Sequence, residues 1–104
     1  MDHPNTLTLV NNLGDLLQKQ GKLEEAEVLY RRDLEGRERV LGLDHPSTLT
    51  SVINLGSLLY KQGKLEEAES FMRRALEGHE RVLGPEHPNT QTAAAWLKIV
   101  TEAK

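Results

Sequence analysis

Shifting the sequence by 42 residues lays QGKLEEAE at Gln20 onto QGKLEEAE at Gln62, and ERVLG at Glu38 onto ERVLG at Glu80. About three quarters of the first 42 positions are matched in the second 42, far more than a shared amphipathic pattern produces. A fixed period of this length restricts the chain to folds in which one unit stacks on the next. The period predicts a single domain, with a first repeat at 1–42, a second at 43–84 and a C-terminal half-repeat at 85–104. A chain of 104 residues suffices for one small domain and is too short for two independent cores.

Inside each unit the apolar spacing is helical. Leu7, Val10, Leu13 and Leu17 step by three or four, as do Leu49, Val52, Leu55 and Leu59. Beyond Gly21 or Gly63 a second stripe begins: Leu23, Ala26, Tyr30, Leu34 and Leu41, copied as Leu65, Ala68, Met72, Leu76 and Leu83. Each unit is therefore a helix pair, and five helices are predicted near 5–20, 23–41, 47–62, 65–83 and 89–103. Gly21, Gly42, Gly63 and Gly84 fall where a left-handed residue is wanted after a helix. The carboxylates of KLEEAE lie at the positive end of the second helix's dipole, with arginines further on.

Small residues should set how the helices meet. Gly14 and Gly56 each cost about 1 kcal/mol against alanine inside a helix, which points to a close approach there, with Ala26 and Ala68 expected as partners. Gly36 and Gly78 interrupt the second helix, and the sequence leaves open whether they admit the following helix or permit a bend. Asp33 stands where the second copy has Ala75. Its spacing to Arg37 allows a pair on one helix face, and a partly exposed terminal repeat would tolerate the charge.

Composition excludes several functions. Lys and Arg number 13 against 16 Asp and Glu, a net charge of -3, so the chain offers nucleic acid no basic face. There is no cysteine, which removes disulfides and thiolate metal sites and points to an intracellular, cytoplasmic setting. No apolar run approaches the roughly 18 residues of a membrane span, and the first ten residues lack a signal-peptide layout, so a soluble chain is expected.

DHPNTL at Asp2, DHPSTL at Asp44 and EHPNTQ at Glu86 suggest metal or acid/base chemistry. With one histidine per hairpin and helices about 8–10 Å apart, His3, His45 and His87 should lie roughly 20 Å from one another. No ion with ligands at about 2 Å could join them. Proline pre-sets a helical φ and keeps the preceding residue out of the helix, so each HP reads as the start of a helix. An acidic residue stands just upstream, and the cap is either His3 or Asn5 and their copies. Ser47, Ser51, Ser57 and Ser70 have no histidine at helical spacing on the same face. The sequence predicts no enzyme, no metal and no cofactor.

The stretch NNLGDLLQKQGKLEEAEVLYRRDLEGRERVLG resembles a tetratricopeptide repeat, with Leu13, Gly14, Gly21, Ala26 and Tyr30, and Leu55, Gly56, Gly63 and Ala68, on its characteristic positions. The 42-residue period and the opening HP are similar to kinesin light chains, and the wording of the repeat is similar to arrays in fungal NOD-like receptors. The resemblance implies an all-α, right-handed superhelical solenoid of antiparallel helix pairs, about two and a half repeats long. It also implies a scaffold that holds a protein or peptide on the concave face of the first helices, within a larger receptor-like or adaptor protein. On that face the resemblance places Asn11, Asn12, Asp15, Gln18, Lys19, Thr50, Asn54, Ser57, Tyr60 and Lys61, with Asn12 and Asn54 as the peptide-gripping amides. No GxxxxGK[ST] phosphate loop is present.

The alternative is a purely structural repeat fragment without a peptide ligand. Trp96, Ile99 and Val100 lie in the last helix, where no partner helix follows. They are expected to leave an apolar end suited to self-association or end-to-end stacking.

Overall fold

A computed structural model describes residues 3–104. Its helices are α1 (Pro4–Lys19), α2 (Leu23–Leu41), α3 (Pro46–Lys61), α4 (Leu65–Leu83) and α5 (Pro88–Ala103), and no strand occurs among the described residues. Each helix packs chiefly on its neighbours in sequence, α1 on α2, α2 on α3, α3 on α4 and α4 on α5. The body measures 33 × 29 × 18 Å. Its short dimension is two helix layers at the usual spacing of about 8–10 Å, which is the cross-section of a stacked hairpin solenoid.

The helix ends are set locally. His3, His45 and His87 are the N-caps, their Nδ1 atoms accepting the backbone N–H of Asn5, Ser47 and Asn89 at 3.1, 3.0 and 3.1 Å. Proline follows at the first helical position, where a missing N–H costs nothing. The histidine motifs are thus helix starts, and histidine rather than asparagine or serine is the cap. Asp2, expected just upstream of α1, lies outside the described residues. At the other end Gly21 takes φ +80 and Gly63 φ +81, and the N–H groups of Lys22 and Lys64 reach back to Leu17 and Leu59 at 2.9 Å. That paired closure satisfies carbonyls the helix would otherwise orphan.

Glycines admit side chains from within their own hairpin. A Cβ on Gly36 would fall 2.5 Å from Leu7, and one on Gly78 would fall 2.6 Å from Leu49. These glycines therefore receive the preceding helix, not the following one. A Cβ on Gly14 would meet the Tyr30 ring at 2.9 Å, and one on Gly56 would meet Met72 at the same distance. The nearest partners are these larger residues, one turn beyond the expected Ala26 and Ala68, because the ring and thioether reach over the bare glycine backbone.

The core centres on α3, where Leu49, Val52, Leu55, Leu58 and Leu59 are all buried beneath α2 and α4. Asp33 corrects the expectation of a partly exposed charge: it is 1% exposed. One carboxylate oxygen accepts from Arg37 Nε at 2.8 Å and the other from Ser51 Oγ at 2.6 Å, across the boundary between repeats. Outside this junction runs a ladder of polar pairs: Glu24 with Gln62 at 2.7 Å, Glu27 with Lys64 at 2.9 Å, Arg31 with Glu67 at 3.0 Å, Glu38 with Arg74 at 2.5 Å and Asp44 with Arg81 at 2.9 Å. Exposed pairs of this kind add little stability one by one, but the mixed order of charges, with Arg31 between acidic residues and Glu67 between basic ones, favours this register over a shifted one.

The two ends differ, and opposite to expectation. Val100 is fully buried and Trp96 is packed against the core, so of the three residues expected to form an apolar end only Ile99 stands out, at 44% exposure. The positions of α5 that match Leu49, Gly56 and Leu59 are Gln91, Lys98 and Thr101, all exposed, and Lys104 bonds both Glu66 at 2.8 Å and Glu69 at 2.7 Å. At the N-terminal end Leu9, Leu13 and Leu16 are 69%, 49% and 51% exposed, whereas their copies Ser51, Leu55 and Leu58 are buried.

Candidate peptide-binding groove

Burial sorts the α3 side chains into two faces. Thr48, Leu49, Ser51, Val52, Leu55, Leu58 and Leu59 are buried. Thr50, Ile53, Asn54, Ser57, Tyr60 and Lys61 recur at steps of three or four along a less buried stripe. On α1 the same register carries Thr8, Asn11, Asn12, Asp15, Gln18 and Lys19, and on α5 it carries Thr92, Ala95, Trp96 and Ile99. All ten residues expected in the groove therefore share one face of α1 or α3.

The structure differentiates them. Asn54 Nδ2 donates to Asn11 Oδ1 at 3.4 Å across the repeat boundary. The amide pair is thus Asn11 with Asn54, while Asn12, the sequence equivalent of Asn54, is exposed one position along. Asp15 and Gln18 are engaged below: the Tyr30 hydroxyl donates to the Asp15 carboxylate and lies 3.0 Å from Gln18 Oε1. Burial and the adjacent Asp15 charge push the Tyr30 phenol far above its ordinary range, so it remains a donor. Thr50 and Ser57 spend their protons on the backbone carbonyls of Pro46 and Asn54, at 3.0 and 2.9 Å. Lys19 and Lys61 are exposed in the last turns of their helices. Tyr60 meets Trp96 edge-on, with centroids 5.9 Å apart at 72°.

A cleft of about 170 Å³ opens between the repeats, lined by Asn11, Arg37, Ser47, Thr50, Ser51 and Asn54. Arg37 comes from α2, held by Asp33 with Thr8 Oγ1 at 3.5 Å. Sequence reasoning missed its place in this cleft, although the Asp33 spacing identified its partner. Along the stripe toward α5 the counterparts of Asn11, Ser51 and Asn54 become Ile53, Ala93 and Trp96. The face thus passes from amide and guanidinium chemistry to aromatic and aliphatic chemistry within one repeat. The larger hollow, about 500 Å³, lies over α4 alone, among Glu66, Glu69, Ser70, Arg73, Arg74 and Glu77. Its charges are largely engaged, Arg73 with Glu69 at 3.2 Å and Arg74 with Glu38 at 2.5 Å.

Among the described residues no three histidines, aspartates or glutamates stand close enough to hold a metal ion, and no helix is long and apolar enough to cross a membrane. Burial would raise the Glu27 carboxyl, but the Lys64 and Arg31 side chains beside it prevail and hold it below the usual range. That carboxylate is a structural anion in the repeat ladder.

Comparison with known proteins gives a consistent picture. The sequence profile of the tetratricopeptide repeat matches twice, over residues 5–78 and 51–97. A search of curated proteins finds no significant match. Among solved structures, a Podosopora anserina putative kinesin light chain with nearly identical TPR-like repeats superposes with a TM-score of 0.90 at 24% identity, covering 98% of this chain and 48% of that one. A single-substitution variant of it gives the same values. BtubC (BKLC) from P. vanneervenii superposes with a TM-score of 0.85 at 20% identity, covering 93% and 38%. The chain spans less than half the length of these solved chains.

Proposed function

Because this chain belongs to the tetratricopeptide repeat family, whose repeats generally mediate protein–protein interaction, we propose that the stripe on α1, α3 and α5 binds an extended segment of a partner protein. The reading rests on the Asn11–Asn54 contact, which lays two side-chain amides edge to edge across the repeat boundary. Each amide keeps further donors and acceptors, the inventory that matches the N–H and C=O groups of a peptide backbone. Asn12, Lys19 and Lys61 supply exposed polar contacts on either side, while Ile53, Tyr60 and Trp96 offer an apolar seat at the α5 end. In this reading the chain is a scaffold without catalysis, serving as the contact segment of a larger cytoplasmic adaptor or receptor-like protein.

Fluorescence anisotropy with a labelled peptide library tests it. Peptides selected by the parent chain should lose binding when Asn12 and Asn54 are both changed to alanine, with the helical fold retained by circular dichroism. Unaltered affinity in that variant would sink the groove assignment.

A further inference from the structure

The two copies of the repeat differ at about a quarter of their positions, and the differences fall largely on two facing lines. On the first helices Asn11, Asp15 and Gln18 become Ile53, Ser57 and Tyr60, at steps of four and three. On the second helices Tyr30, Asp33 and Arg37 become Met72, Ala75 and His79. The capping histidines and the glycines are copied unchanged, so the shared hairpin does not by itself call for these lines to change.

The first junction offers a mixed set of hydrogen-bonding groups. In the cleft of about 170 Å³ between the repeats, Asn54 Nδ2 donates to Asn11 Oδ1 at 3.4 Å. That contact leaves the Asn11 nitrogen as a donor and the Asn54 oxygen as an acceptor. Arg37 reaches the same cleft with Nε committed to Asp33 at 2.8 Å and its outer nitrogens still carrying hydrogens to donate. Asn11, Arg37 and Asn54 are all half-buried, so a side chain entering among them gives up much of its water.

This set discriminates among ligand side chains. An apolar group would strand the Arg37 and Asn11 donors. A carboxylate would meet the Asn54 oxygen and a guanidinium whose charge Asp33 already balances, with Asp15 one turn further along α1, so its lost hydration is poorly offset. A primary amide presents both an acceptor and donors to the same three residues. The second junction differs, since the positions of Asn11, Arg37 and Asn54 hold Ile53, His79 and Trp96. His79 is buried there, and Trp96 meets Tyr60 with centroids 5.9 Å apart, so the stripe presents aliphatic and ring surface.

Resting on the groove reading above, we propose that the Asn11–Arg37–Asn54 cleft selects a glutamine or asparagine side chain of the bound segment, and that Ile53, Tyr60 and Trp96 take an apolar side chain a few residues away. Asn11 and Ile53, which occupy the same position of the two repeats, set which chemistry each repeat reads.

The test is fluorescence anisotropy of the full chain with pools of labelled nonapeptides that carry Gln, Asn, Glu, Ala or Leu at one fixed position and are randomised elsewhere. The Gln and Asn pools should bind at least about tenfold more tightly than the Glu, Ala and Leu pools. A single peptide recovered from the Gln pool should lose about tenfold in affinity when that glutamine is changed to glutamate. Asn11→Ile copies Ile53 into the first repeat and should reduce the preference to about twofold or less, with the parent's helix content by circular dichroism. If that variant does not fold, the exchange of glutamine for glutamate in the peptide decides by itself. Binding of the Glu pool equal to or tighter than the Gln pool overturns the amide assignment and leaves the groove standing, as does a folded Asn11→Ile chain that keeps the full preference. A chain that binds no pool overturns the groove reading and this assignment with it.

Discussion

Ser51 on α3 donates its hydroxyl to Asp33 on α2 at 2.6 Å, and both side chains are nearly inaccessible to solvent. This bond crosses the repeat boundary in the middle of an otherwise apolar interface, where an unpaired carboxylate is costly. Ser51→Ala leaves one oxygen of Asp33 without its partner and should destabilise the chain by about 1–3 kcal/mol in urea unfolding. The double change Asp33→Ala with Ser51→Ala reproduces the apolar junction of Ala75 and Ala93. Its cost should be smaller than the sum of the two single changes, and strict additivity would show that the two side chains are not coupled.

The histidine caps act through an unprotonated Nδ1. His45→Ala removes the acceptor for the Ser47 N–H and should cost about 1 kcal/mol, while His45→Asn, a favoured cap, should retain most of the stability. Equal melting of the alanine variant and the parent would show that the cap contributes nothing.

Gly78 illustrates packing overriding helix propensity. Alanine normally gains about 1 kcal/mol over glycine inside a helix. Here the added methyl would stand 2.6 Å from the nearest Leu49 atom, and Leu49 is itself buried. Gly78→Ala should therefore be destabilising by about 1–3 kcal/mol. Combining it with Leu49→Ala should cost less than the two single changes together, because the truncated leucine vacates the space the methyl needs. A stabilised Gly78→Ala chain in thermal melts would contradict the close approach.

His79 gives the fold a dependence on acid. It is buried in α4 with neither ring nitrogen hydrogen-bonded, and burial together with the His87 charge holds its pKa below the usual 6.5. The unfolded chain therefore takes up a proton more readily than the folded one. The stability linked to this group is fully present above pH 6.5 and is lost as the pH falls from there through the lower folded value. His79→Leu should flatten the stability profile measured between pH 7 and pH 5, and an unchanged profile would assign that dependence to other groups.

Much of this architecture could be read before the structure. The five helix spans agree with the sequence reading to within a residue or so, because each boundary rests on local chemistry: proline after a capping histidine at the start, and glycine at the end. The resemblance to the tetratricopeptide repeat named the residues of the stripe on α1 and α3, and helical periodicity puts Asn54, Ser57 and Lys61 on one face of α3. What periodicity could not supply was each side chain's engagement. Asp15 and Gln18 look available in the sequence, yet both lie against the Tyr30 hydroxyl of the other helix in their hairpin. Asn54 reaches Asn11, not its own repeat equivalent Asn12, because adjacent hairpins meet with an offset that only their packing sets.

Leu13 and Leu55 show where local information stops. They occupy the same place in the same repeat, flanked by Asn12 and Gly14 or by Asn54 and Gly56, and any local rule treats them alike. Leu55 is fully buried and Leu13 is 49% exposed. Helix spans, repeat length and the number of hairpins follow from backbone preferences and apolar spacing, which act over a few residues and are copied with each repeat. Which face is covered and which aspartate finds a serine depend on how the hairpins stack and in what order. Those are properties of the assembled array, because burial is conferred by a neighbouring hairpin, as where Ser51 meets Asp33 across the repeat boundary.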